Sequence, residues 1–176
     1  MVEHKEFLIE SIDRDFSVKG PVEVVCKPKG FNRWCTLPYP KHKNGCPNYG
    51  HRVTCPPQVG YFLDMFHPEV YLALLRFDFK EYLSEKKRLH PDWTERAIRN
   101  PFHFQTHLRA ELSKSTEALL SKPEYQNYKC LYNAEGMGVN LHLTSRLVGV
   151  ELEWPPKDNM YRIAILAKPL PLINQA

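Results

Sequence analysis

The stretch from Cys26 to Pro57, CKPKGFNRWCTLPYPKHKNGCPNYGHRVTCPP, constrains this chain more than any other part of it. Four of the five cysteines lie here, Cys26, Cys35, Cys46 and Cys55, with 8, 10 and 8 residues between successive members. The stretch also holds six Lys or Arg, two His and no Asp or Glu. Its six prolines and three glycines exclude a regular helix running through it. A loop of this length leaves many backbone groups without partners, so something must hold it together.

Three devices could do so. Disulfides would staple the loop, but MVEHKEFLIE is charged from its third residue and reads as no secretory leader. In a reducing, cytoplasmic setting, clustered cysteines serve more often as metal ligands or catalytic groups. Buried unpaired thiols belong in apolar runs, not in a Pro-rich loop. A metal held by Cys26, Cys35, Cys46 and Cys55 is therefore the favoured expectation. Structural zinc usually takes two ligands from one tight C-x2–4-C turn, and no such turn occurs here. Each cysteine arrives on its own arm, and two are followed by Pro, as in a ferredoxin run. The surrounding Lys and Arg would offset the negative charge of a four-thiolate centre. These features favour a [4Fe-4S] cluster, with zinc as the alternative.

GCPNYGHRVTCPP, followed by an amphipathic segment and YLALLRFDF, resembles a cysteine-rich family of predicted metal-binding proteins of unknown function. That family carries a C-P-x-Y-G-x4-C-P-P core preceded by another cysteine. The likeness continues through AEGMGVNL, LVGVELEWPP and YRIAILAK, although only the CPNYG…CPP core is specific. The resemblance implies that Cys46 and Cys55 are ligands, with Cys26 or Cys35 as further members. The family also has a second, ferredoxin-like cysteine cluster before its Glu-x-x-Gly turn. Here only Cys130 stands in that region. The resemblance therefore implies one cluster instead of two, which speaks against simple electron transfer between a pair.

At 176 residues the chain is expected to form one domain, residues 1–176, with the metal loop at 26–60. A hydrophobic fraction of 43% and a charged fraction of 25% suit a water-soluble globular protein, and no apolar run approaches a membrane span. The net charge of +4 is compatible with an anionic partner. EFLIESI (6–12) reads as a strand or a helical turn, and VEVVC as a strand delivering Cys26. A short helix is expected within 59–67, ending at Pro68, and a buried strand over 69–79. Residues 80–90 read as a helix whose Lys86-Lys87-Arg88 run is a solvated face.

Asp92 and Glu95 suggest a capping box for another helix, which Pro101 interrupts. Phe104, Leu108 and Leu112 mark an amphipathic helix over about 102–121. His103 and His107 share one of its faces, but no carboxylate pattern supports a metal there. YKCLYN (128–133) reads as a strand that makes Cys130 a core thiol, the alternative being a reactive fifth thiol near the cluster. A tight turn at Gly136 and Gly138 leads into a helix over about 139–147. Two strands, 148–156 and 161–168, complete the pattern. The fold class expected is α/β or α+β: a single domain with a mixed sheet of about four to six strands flanked by helices, and the cysteine loop packed at one end.

Two functional readings follow. One is an iron–sulfur protein with a redox or cluster-based enzymatic role on an anionic substrate. The other is a structural-zinc module whose basic loop, with Phe31, Trp34, Tyr39 and Tyr49, binds RNA or another anionic partner. No P-loop, Ser-His-Asp order or paired-carboxylate signature names a reaction.

Overall fold

The computed structural model of the chain describes residues 9–29, 33–38 and 42–171. Its centre is β2 of a four-stranded sheet: β1 (Arg14–Glu23), β2 (Phe66–Asp78), β3 (Lys129–Leu131) and β4 (Asn159–Pro169), in the order β1-β2-β4-β3. Every neighbouring pair is antiparallel. The fold is thus a single α+β domain, with four strands and helices on the sheet.

The apolar run of β2 is explained by cover on both faces. Ala73, Leu75 and Phe77 point one way, with Ala164 and Leu166 of β4, and pack beneath two helices. These are α1 (Phe79–Leu89) and α2 (Gln105–Leu120). Phe77, Phe79, Tyr82 and Phe104 meet there with ring centroids 5.2–5.9 Å apart, a spacing that adds attraction beyond buried area. Val70, Leu72 and Leu74 point the other way, with Ile165 and Ala167, against Phe62, Met137 and Val139. The cysteine loop and α3 (Leu141–Leu147) lie on this second side. No helix among the described residues is long and apolar enough to cross a membrane.

The expected helix at 80–90, the buried strand at 69–79, the helix at 102–121 and the strands at 128–133 and 161–168 all form, with bounds shifted by a few residues. Residues 9–11 form a helical turn, Phe62–Met65 the short helix before β2. Other expectations need correcting. The segment DRDFSVKG, between the two expected apolar runs, supplies most of β1 and pairs from Arg14↔Phe77 to Lys19↔Leu72, whereas the expected strand VEVVC contributes only Val22 and Glu23. The cap of the turn Glu95–Ile98 is Thr94, whose hydroxyl accepts from the Ala97 N–H, and not Asp92. Lys86 is buried at 3% exposure with its ammonium 5.4 Å from the Trp93 ring centre, so its stem and charge are covered instead of solvated.

Residues 148–156 form no strand. Val150 is buried and Val148 and Leu152 pack against the second core cluster, which accounts for the alternation, but no strand pairs with them. The place such a strand could take is the outer edge of β4. β3 covers that edge only from Ile165 to Ala167, so among the described residues the length from Asn159 to Ala164 has a strand on one side alone.

Candidate metal loop and the adjoining cleft

Cys26 follows β1 and forms an isolated antiparallel bridge with Val139. Its neighbours fasten the loop to the glycine turn. The Lys27 N–H donates to the Gly138 carbonyl at 2.8 Å, and the Asn140 N–H to the Val25 carbonyl at 2.7 Å. Gly138 takes φ 96°, which lets the 3-10 turn Ala134–Met137 close before Asn140 caps α3. The Tyr61 hydroxyl donates to the Lys27 carbonyl at 2.8 Å. Burial pushes the Cys26 thiol up from its ordinary range, and a hydrogen bond with Tyr61 draws it back. Tyr61 thus ties down the first arm of the loop.

Cys35 lies in the one-turn helix Arg33–Thr36. The Cys46 N–H donates to its carbonyl at 2.8 Å. That approach requires a glycine beside it. Gly45 is buried at φ 85°, and a Cβ there would meet Thr36 backbone atoms at 2.8 Å and strike the Cys35 carbonyl. The third arm folds on itself, since the Gly50 N–H donates to the Pro56 carbonyl at 2.8 Å and the Cys55 N–H to the Arg52 carbonyl at 2.9 Å. Pro56 rests against Gly136, where a Cβ would stand 3.3 Å from its ring. Burial raises the Cys35 thiol pKa, the charges at Cys46 and Cys55 raise it further, and Lys27 lowers it. Cys46 and Cys55 therefore both lie within electrostatic reach of Cys35.

Of the expected ligands, Cys26 interacts with Tyr61, while Cys46 and Cys55 act electrostatically on Cys35. All five cysteines are free thiols, so no disulfide closes the loop. As the side chains stand, no group of three or more His, Cys, Asp or Glu among the described residues is arranged to hold a metal ion. The donor chemistry fits a soft metal or cluster nonetheless, because thiolates select zinc and iron–sulfur centres. Phe31, Tyr39 and the side chain of Trp34, named above in the RNA-binding alternative, lie outside the described residues.

Cys130 stands apart from this group. It pairs with Leu166 in the ladder and packs against the helix-side core. Burial raises its thiol pKa, and hydrogen bonds with Tyr132 and Thr116 lower it in part. His103 stacks on Trp93 at 5.4 Å, and Trp93 stacks on His90 at 3.9 Å. That stacking accounts for His103, at the end of the 3-10 turn before α2, and among the described residues it does not include His107.

A cleft of about 410 Å³ opens between the third arm and α2 at the free edge of β4. Cys55 lines it, together with Arg52, Arg109 and Arg162. Arg162 escaped the sequence reading, although a charged residue between Tyr161 and Ile163 of an apolar strand was a usable signal. Glu135 was missed too. Burial pushes its carboxyl up, while its own backbone N–H, Arg162 and Lys27 pull it down. Compared with family models, curated proteins and solved structures, the chain matches none.

Proposed function

We propose that the chain is a metal-binding protein whose loop thiolates at Cys35, Cys46 and Cys55 hold an iron–sulfur cluster of the [4Fe-4S] type. The observation that carries this reading is the convergence of three separate arms: the Cys46 N–H on the Cys35 carbonyl, and Cys46 and Cys55 both within reach of the Cys35 thiol. Lys27 faces the same thiol and would offset the charge of a thiolate centre. Three thiolates on a cluster leave one iron open, and an open iron supplies Lewis-acid or redox chemistry toward an anionic substrate.

Purification without oxygen, followed by iron, sulfide and zinc analysis, tests the proposal. A brown protein with broad visible absorption and matching iron and sulfide supports it. A colourless protein with one zinc per chain replaces it with the structural-zinc reading, and a metal-free, folded protein refutes both. Serine variants then define the ligands. Cys35→Ser, Cys46→Ser and Cys55→Ser should each lose the centre, and Cys26→Ser should retain it. Loss in Cys26→Ser as well would make it a four-thiolate centre.

A further inference from the structure

The cleft at the edge of β4 draws its three arginines from three different elements: Arg52 from the loop, Arg109 from α2 and Arg162 from β4. Among the described residues no Asp or Glu lines it with them. None of the three forms an ion pair among the described residues. Arg162 is the most confined. Its Nε atom is buried without a hydrogen-bond partner. Burial first, and then the neighbouring Arg109, lower its pKa, while Glu135 draws it back up. Guanidinium groups gathered in this way repel one another, and an anion placed among them would turn that repulsion into attraction. Asn48 and Asn133 are also among its lining residues, and an amide is a donor type that suits an anion.

Tyr132, Arg162 and Ile163 also line a second cavity of about 350 Å³ beside β4. Its further walls are mostly apolar or aromatic, with Leu141, Leu152, Trp154 and Tyr161 among them. Two carboxylates stand there. Glu153 accepts from the backbone N–H groups of Lys157 and Asp158 at 2.7 and 2.9 Å, and Glu135 is within the field of Arg162 and Lys27. Trp154 is 95% exposed at the rim, where a large apolar side chain gains nothing from the protein's own core.

We propose that these two cavities, which share Tyr132, Arg162 and Ile163, together bind a small organic anion, its carboxylate or phosphate head held by Arg52, Arg109 and Arg162 and its apolar or aromatic body lying along Leu152, Trp154 and Tyr161. Arginine forks match the oxygens of such heads two at a time. A concave site with few polar anchors and an apolar wall is the usual form of a small-molecule pocket. Arg109 and Arg162 lie outside the cysteine loop, so two of the three anchors do not rest on the metal reading, whereas Arg52 does.

Calorimetric titration of the whole protein with phenyl phosphate, phenylacetate and benzyl alcohol tests this. Saturable one-to-one binding of either anion, with none of the alcohol, is expected, and the tighter anion names the head group. Arg109→Gln and Arg162→Gln should each weaken that anion by about tenfold or more. Arg146→Gln removes an exposed charge away from the groove and should leave binding unchanged. Trp154→Ala should weaken the aromatic anions but not inorganic phosphate. Should Arg162→Gln fail to fold, Arg109→Gln on the exposed surface of α2 carries the test. Metal content is measured alongside, so that lost probe binding with unchanged metal separates this groove from the thiolate centre. No saturable binding of either anion, or equal weakening by Arg146→Gln, would overturn the proposal.

Discussion

Gly138 carries the start of the cysteine loop on its carbonyl, which accepts the Lys27 N–H at 2.8 Å, and lies against the Tyr61 ring that binds the Lys27 carbonyl from the other side. A Cβ at Gly138 would stand 2.9 Å from Tyr61 Cε2, and its φ of 96° is unfavourable for any side chain. Gly138→Ala should therefore cost about 1–3 kcal/mol. Urea unfolding measures the loss. A cost near zero would mean that the turn relaxes freely and does not anchor the loop.

A second glycine separates backbone strain from lost convergence. Gly45 and Gly50 both have positive φ, but only Gly45 has neighbours where a side chain would go. Gly45→Ala should push the Cys46 arm off the Cys35 carbonyl and lower metal content. Gly50→Ala should keep the metal and lose only the modest stability of a strained backbone, about 1 kcal/mol. Metal analysis of both variants, with limited proteolysis at Lys43 and Arg52, reads the difference. Removal of metal from the wild type should also open these sites to protease, because little apolar material holds residues 26–60 together. Equal metal in the two variants would count against the three-arm centre.

Cys130 should behave as a core thiol. Cys130→Ala should keep its metal and lose about 1 kcal/mol, the cost of a small cavity. Because burial raises its pKa, Cys130 should be alkylated slowly at neutral pH and faster only as the pH rises above the usual thiol range. Mass spectrometry of iodoacetamide-treated protein gives the order of labelling. Loss of metal in the alanine variant would place Cys130 in the centre.

Glu135 gives a pH dependence with a definite sign. Its folded-state pKa is raised, burial being the leading cause, so the folded protein holds this proton more tightly than the unfolded chain does. The corresponding share of stability is present below the ordinary carboxylate pKa and is lost as pH rises through the raised value. Glu135→Gln removes the ionisation. Its stability relative to wild type should therefore increase from acidic to neutral pH. The same change removes the carboxylate that acts on Arg162, so anion binding in the groove should tighten. A wild-type-to-variant difference that stays flat with pH would show that the carboxyl is not perturbed.

The helices and three of the strands were legible because their signals are local. The apolar run of β2, the stripe Phe104–Leu108–Leu112 and the turn glycines before α3 each fix an element from within a short window. Most of β1 was hidden because its exposed residues carry charge, the expected strand VEVVC catching only its end, and its pairing with β2 is visible only in the sheet. At 148–156 the reverse held: alternation was present, but a strand needs a partner, and packing against the second core satisfied the pattern without one.

By itself the sequence determined that a Pro-rich loop with four thiols must be held by something other than its own backbone, and which residue types could do it. Only the tertiary structure put Cys26 in hydrogen-bonding contact with Tyr61, and Cys46 and Cys55 within electrostatic reach of Cys35. It alone brought Arg52, Arg109 and Arg162 to one cleft from positions far apart in the chain. The physical reason is one of range. Chain propensity and hydrophobic period act over a few residues, whereas a binding site is made by side chains that meet only after β3 has stopped short and left the edge of β4 uncovered.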